Sequence, residues 1–155
     1  MVYQRSWELR HWDSVFMNVQ LLGVIGLYSH TNEISLEGNA QELQELANCL
    51  STIPSEVRFR IPESISPKPY DGFLTKLKIL HSNDYLLIDR QEYSLVLKGS
   101  IKNFNVLGRS IINLANSHLD KSNPVRRHIH IEYIEGDYFL APSPFSLTVS
   151  LDHKF

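Results

Sequence analysis

Apolar and polar residues alternate most strictly near the end of the chain. In His128-Ile129-His130-Ile131-Glu132-Tyr133 and in Phe145-Ser146-Leu147-Thr148-Val149-Ser150-Leu151, every second position is apolar. A period of two marks a strand with one covered face and one open face. The pattern points Ile129, Ile131 and Tyr133 one way and His128, His130 and Glu132 the other. In the final run it puts Phe145, Leu147, Val149 and Leu151 on the core side, with Ser146, Thr148 and Ser150 outward. Ile134-Glu135-Gly136-Asp137 and Tyr138-Phe139-Leu140-Ala141-Pro142 lie between them and complete a terminal hairpin segment.

Earlier in the chain, Trp7 to Trp12 and Met17 to Tyr28 read as strands, and Ile34-Ser35-Leu36-Glu37 as a short alternating one. Ser29-His30-Thr31-Asn32 is a turn cluster, which suits an antiparallel return from Tyr28 to Glu33. Gly38-Asn39 ends that strand and supplies Asn39 as an N-cap, with Glu42 at capping-box spacing. The helix predicted from Ala40 to Thr52 carries Leu43, Leu46, Ala47 and Leu50 on one stripe. Pro54, Pro62, Pro67 and Pro69 exclude a helix beyond it and leave room for a short edge strand at Val57 to Ile61. Leu74 to Leu80 and Tyr85 to Ile88 read as a hairpin, followed by a strand from Tyr93 to Leu97. A second helix is predicted from Ile101 to Ser117, with Phe104, Leu107, Ile111, Leu114 and Ala115 on its apolar stripe.

The two halves resemble each other. Gly38 and Gly99 each follow a short strand and precede a helix, sixty-one residues apart. At that offset Leu43 meets Phe104, Leu46 meets Leu107, Leu50 meets Ile111 and Ile53 meets Leu114. At a shorter offset Leu77 and Ile79 meet Ile129 and Ile131. One such unit has a single helix and one sheet face to cover, so two units would share a core. The expectation is an α+β fold: a mainly antiparallel sheet with two helices on one face, built from a tandem strand-helix-strand-strand repeat. The single domain would span 1–155, with N-terminal strands at 1–32, a first repeat at 33–92 and a second at 93–155.

Composition narrows the class. With 43% hydrophobic and 21% charged residues, the chain belongs with globular proteins rather than disordered ones. A net charge of −2 gives no basic stripe for nucleic acid. The longest apolar run, Leu21 to Tyr28, is far too short for a membrane span, and the first ten residues do not form a signal peptide. A cytoplasmic protein is the expectation. Cys49 is the only cysteine, and in its apolar helical setting it reads as an inert core residue.

Two clusters carry candidate chemistry. His128, His130 and Glu132 alternate along one strand face, with about 6–7 Å between successive side chains. Two histidines and a carboxylate are a ligand set for a divalent metal if a further group such as Asp152 or His153 helps close it. A solvated polar face explains the same pattern, and the matching places in the first half hold Lys76, Lys78 and Leu80. The second cluster is acidic and aromatic: Glu132, Tyr133, Glu135, Asp137 and Tyr138. Tyrosine supplies contact area at interfaces, and carboxylates steer a basic partner. Trp7 and Trp12 suit core or edge cover better than partner anchoring. The phosphate-loop, zinc-finger, nucleophile-elbow and zincin motifs are absent.

His128-Ile129-His130-Ile131-Glu132-Tyr133, Tyr138-Phe139-Leu140-Ala141-Pro142-Ser143 and Leu147-Thr148-Val149 together resemble the C-terminal motif of the immunity protein 32 family. Ile34-Ser35-Leu36-Glu37-Gly38 followed by Leu43 to Leu50 is similar to that family's strand-Gly-helix opening. The resemblance implies a binding protein without catalytic residues or cofactor, acting on a cognate toxin of a bacterial polymorphic toxin system by occluding its active site. Two other readings stand beside it. One is a metal-binding module or metal-dependent enzyme built on His128, His130 and Glu132. The other is a ligand-binding regulatory domain that forms a homodimer through its sheet.

Overall fold

A computed structural model describes residues 20–21, 24–28, 31–51, 55–59, 71–119, 128–136 and 139–151. The predicted strand at 7–12, both tryptophans, Asp137, Tyr138, Asp152 and His153 lie outside the described residues. In chain order the elements are β1 (Gln20–Leu21), β2 (Val24–Tyr28), β3 (Glu33–Gly38), α1 (Ala40–Leu50), β4 (Ser55–Phe59), β5 (Gly72–Leu74), β6 (Lys76–His81), β7 (Leu87–Gln91), β8 (Ser94–Gly99), α2 (Ile101–Ala115), β9 (His128–Ile131) and β10 (Ser146–Leu151). A short 3₁₀ turn, Asn116–Leu119, follows α2.

The α+β class follows the pattern, with both helices where the apolar stripes put them. Asn39 caps α1 through a reciprocal box: its Oδ1 accepts from the Glu42 N–H, and its own N–H donates to Glu42 Oε1, both at 2.8 Å. Ser100 caps α2 by accepting from the Asn103 N–H at 3.2 Å. Each cap satisfies an amide that the helix itself leaves unpaired. Leu43, Leu46 and Leu50 of α1 and Phe104, Leu107 and Ile111 of α2 are all buried.

The sheet arrangement differs from the expectation. Among the described residues the strands form two five-stranded sheets, ordered β1-β4-β6-β8-β7 and β5-β2-β3-β10-β9, instead of one. Antiparallel ladders are the more numerous, but β1 pairs in parallel with β4, β3 with β10, and β6 with β8. The predicted hairpin from Leu74–Leu80 to Tyr85–Ile88 does not form: β6 runs beside β8, and β7 pairs with β8 from the other side. The pattern predicts Tyr138 to Pro142 as part of the terminal hairpin; its described part, 139–142, instead makes an isolated parallel bridge from Leu140 to Leu86 and packs Leu140 into the core.

Four strands in each sheet keep the same order and register. The order β2-β3-β10-β9 corresponds to β7-β8-β6-β4, with Gly38 in the place of Gly99. Leu147 and Val149 stand beside Ile34 and Leu36 as Leu77 and Ile79 stand beside Leu95 and Leu97. The geometry therefore sets Leu77 and Ile79 against Leu147 and Val149, not against Ile129 and Ile131. The final strand pair after each helix crosses into the sheet begun by the other half. The two sheets consequently share one core with both helices, which also pack on each other. At the helix crossing is Gly108, where a Cβ would meet the Ala47 carbonyl oxygen at 3.6 Å.

Candidate functional site

β9 closes one edge of its sheet. It pairs antiparallel with β10 from Ser150↔His128 to Leu147↔Ile131, and the ladder ends there. Pro144 lies just before β10 and cannot donate a backbone hydrogen bond. This early stop changes the reading of the residues that follow. Ile131 is buried and Ile129 packs against the core, as the alternation requires. Tyr133 is not carried inward with them: it is 38% exposed, and Ile134 beside it is 66% exposed.

His128 and His130 are exposed on the open face, with ring centroids 4.8 Å apart and planes at 80°. His130 Nδ1 and Thr148 Oγ1 share a hydrogen bond at 3.0 Å. That bond fixes the His130 ring and leaves its Nε2 facing away from Thr148. Glu132 lies beyond the end of the strand, so the expected i, i+2, i+4 spacing stops at the second histidine. Among the described residues, no three His, Cys, Asp or Glu side chains gather to hold a metal.

Glu132, Tyr133, Ile134, Glu135 and Gly136 form an exposed excursion. Gly136 has φ +91°, a left-handed conformation that a side chain would strain. The return leg is pinned. The Leu86 N–H donates to the Phe139 carbonyl at 3.0 Å, and the Ala141 N–H donates to the Leu86 carbonyl at 2.8 Å. Ser143 Oγ accepts from the Ile88 N–H at 3.0 Å and donates to the Ala141 carbonyl at 2.9 Å. Backbone pairing therefore holds the chain on both sides of this excursion, at Ile131 and at Phe139.

A cleft of about 380 Å³ runs between β9, α2 and the return leg. It is lined by Val106, Leu107 and Ser110 of α2, the run 129–132, and Phe139 and Leu140. A larger groove, about 660 Å³, lies between the two helices. The Lys102 and Arg109 side chains line it beside Ile101 and Ile112, which are 56% and 37% exposed. Sequence reasoning missed Ile134 and Ile101. Each had a signal: Ile134 breaks the alternation between two acidic residues, and Ile101 sits off the apolar stripe of its helix.

Cys49 is buried, and desolvation, with the nearby Glu45 carboxylate second, pushes its thiol up to about 11. It is poorly suited to act as a nucleophile. Among the described residues, no helix is long and apolar enough to cross a membrane. Comparison of the chain with protein-family models, characterised proteins and solved structures finds no match in any of the three.

Proposed function

We propose that this chain is an immunity protein, which binds a cognate bacterial toxin and blocks its active site. The observation that carries the reading is the loop after β9: Tyr133 and Ile134 exposed between the carboxylates of Glu132 and Glu135. Exposed aromatic and aliphatic area contributes affinity, and the flanking charges speed encounter with a basic surface. The pinned ends limit the entropy lost when the loop is immobilised in a complex. The resemblance of 128–133 and 138–143 to the immunity protein 32 family points the same way. The proposal needs no catalytic residue, cofactor, nucleic acid or membrane, and it places the protein in the cytoplasm with its toxin.

The test is to look for a toxin domain encoded beside this chain and to co-express the two. The parent should restore growth and co-purify with the toxin. Glu132→Lys with Glu135→Lys should leave the fold intact, because both side chains are exposed, and should slow association by about tenfold or more. A double reversal that binds and protects like the parent would remove this loop from the interface. If no neighbouring toxin domain binds, the immunity reading gives way to the ligand-binding regulatory domain.

A further inference from the structure

The cleft beside β9 has an unusual lining. Ile129, His130 and Ile131 of β9 border it, three residues in a row, and Glu132 continues the border just past the strand's end. Side chains of a strand alternate between faces, so consecutive residues share a border only along the strand's backbone edge. β9 is the last strand of its sheet, and among the described residues its outer edge pairs with nothing. An outer edge presents every second N–H and C=O to whatever lies beside it. Here it faces apolar walls: Val106 and Leu107 on α2, and Phe139 and Leu140 on the return leg.

We propose that β9 receives an extended segment of the partner as an added strand, with apolar side chains in the cleft and a basic side chain against Glu132. Backbone pairing supplies the attraction, and alternate side-chain pockets supply selectivity. The basic character follows from charge: Glu132 borders the cleft and Glu135 lies on the adjoining loop, while among the described residues no Lys or Arg lines it. Tyr133 and Ile134 would then cover the flank of the docked segment. The inference rests on the protein-binding reading above and adds the mode of attachment.

The test has two arms, both on the full chain. In the first, the probe is the synthetic peptide acetyl-(Lys-Val)₃-amide. We expect it to slow hydrogen exchange of amides within 128–132. N-methylation at alternate residues, on whichever edge donates, should weaken binding by about tenfold or more, since it deletes backbone donors and keeps the side chains. The corresponding Glu-Val peptide should bind at least about tenfold more weakly than the Lys-Val peptide, and Glu132→Gln should narrow that gap. Absence of protection at 128–132, or equal binding of peptides methylated on either edge, overturns strand addition. In the second arm, the neighbouring toxin domain replaces the peptide. A complex that forms while 128–132 exchange as in the free chain overturns strand addition and leaves the immunity reading standing. Failure to form any complex removes the immunity reading, and the peptide arm then decides the edge on its own. Protection of 128–132 in a self-associated form without peptide assigns the edge to a second copy and also overturns the proposal.

Discussion

Replacing Gly99 and Gly108 by alanine should change stability in opposite directions. A Cβ on Gly99 would lie 3.2 Å from the Leu86 Cα and 3.4 Å from its Cδ1. The nearer atom is backbone, so it cannot swing aside as a side chain would. Leu86 is held through both its N–H and its carbonyl to Phe139 and Ala141, and any shift strains those bonds. Overpacking of this kind costs about 1–3 kcal/mol. Loss of glycine's freedom in the unfolded chain offsets about 0.4–1 kcal/mol. Gly99→Ala should therefore destabilise by about 1–2 kcal/mol and lower Tm by about 2–8 °C for a domain of this size. At Gly108 the same methyl meets only the Ala47 carbonyl oxygen, at an ordinary 3.6 Å. There the helix propensity of alanine dominates, and Gly108→Ala should stabilise by about 0.5–1 kcal/mol. Urea titration of both variants against the parent, with equal m-values as the check on two-state behaviour, reads both signs. Hydrogen exchange adds location: the Leu86 and Ala141 amides should lose protection only in Gly99→Ala. A Gly99→Ala protein at least as stable as the parent, or a destabilised Gly108→Ala, would refute the packing described at these contacts.

Three further outcomes are expected. Asn39→Ala removes the acceptor for the Glu42 N–H and should cost about 1 kcal/mol in urea titration; an unchanged midpoint would show that the box does not support α1. Cys49 should resist iodoacetamide in the folded chain at pH 8 and react on unfolding, because its pKa is raised from 9.0 to about 11. With the folded pKa above the unfolded one, the native state holds the proton more tightly, so this contribution is fully present below about pH 9 and is lost as pH rises towards about 11; stability rising through that window would contradict the sign. Elemental analysis of the purified chain should find no stoichiometric transition metal; one bound zinc, iron or manganese, lost in His130→Ala, would restore the metal reading of His128, His130 and Glu132.

Much of the local structure was legible before the fold was known. The Asn39 cap, the Glu42 box, both apolar stripes, the return from β2 to β3, and the inward Leu147, Val149 and Leu151 of β10 each depend on residues a few positions apart, whereas Thr148, expected outward, is buried and bonded to His130. Spacing along the chain specifies such features directly. Candidate chemistry was legible as far as the strand continued: His128 and His130 do share the open face.

Which strands pair is a different kind of question. Leu77 and Ile79 suit an antiparallel hairpin with Tyr85 to Ile88 as well as a parallel place beside Leu95 and Leu97. Period two states which side chains are buried, not which neighbour lies alongside. The structure chooses the parallel place because each half leaves the edge of its own hairpin open, and the strand pair from the other half fills it. The same long-range pairing decides the site. Alternation carries Tyr133 inward with Ile129 and Ile131, yet the β9 ladder ends at Leu147↔Ile131, and beyond it no partner strand among the described residues holds the pleat. Tyr133, Ile134 and Glu135 are therefore left in solvent. Residue order determined the caps, stripes and alternation, because those interactions act within a few residues. Only the tertiary structure decided where β9 ends and what its outer edge faces, because strand pairing joins segments far apart in the chain.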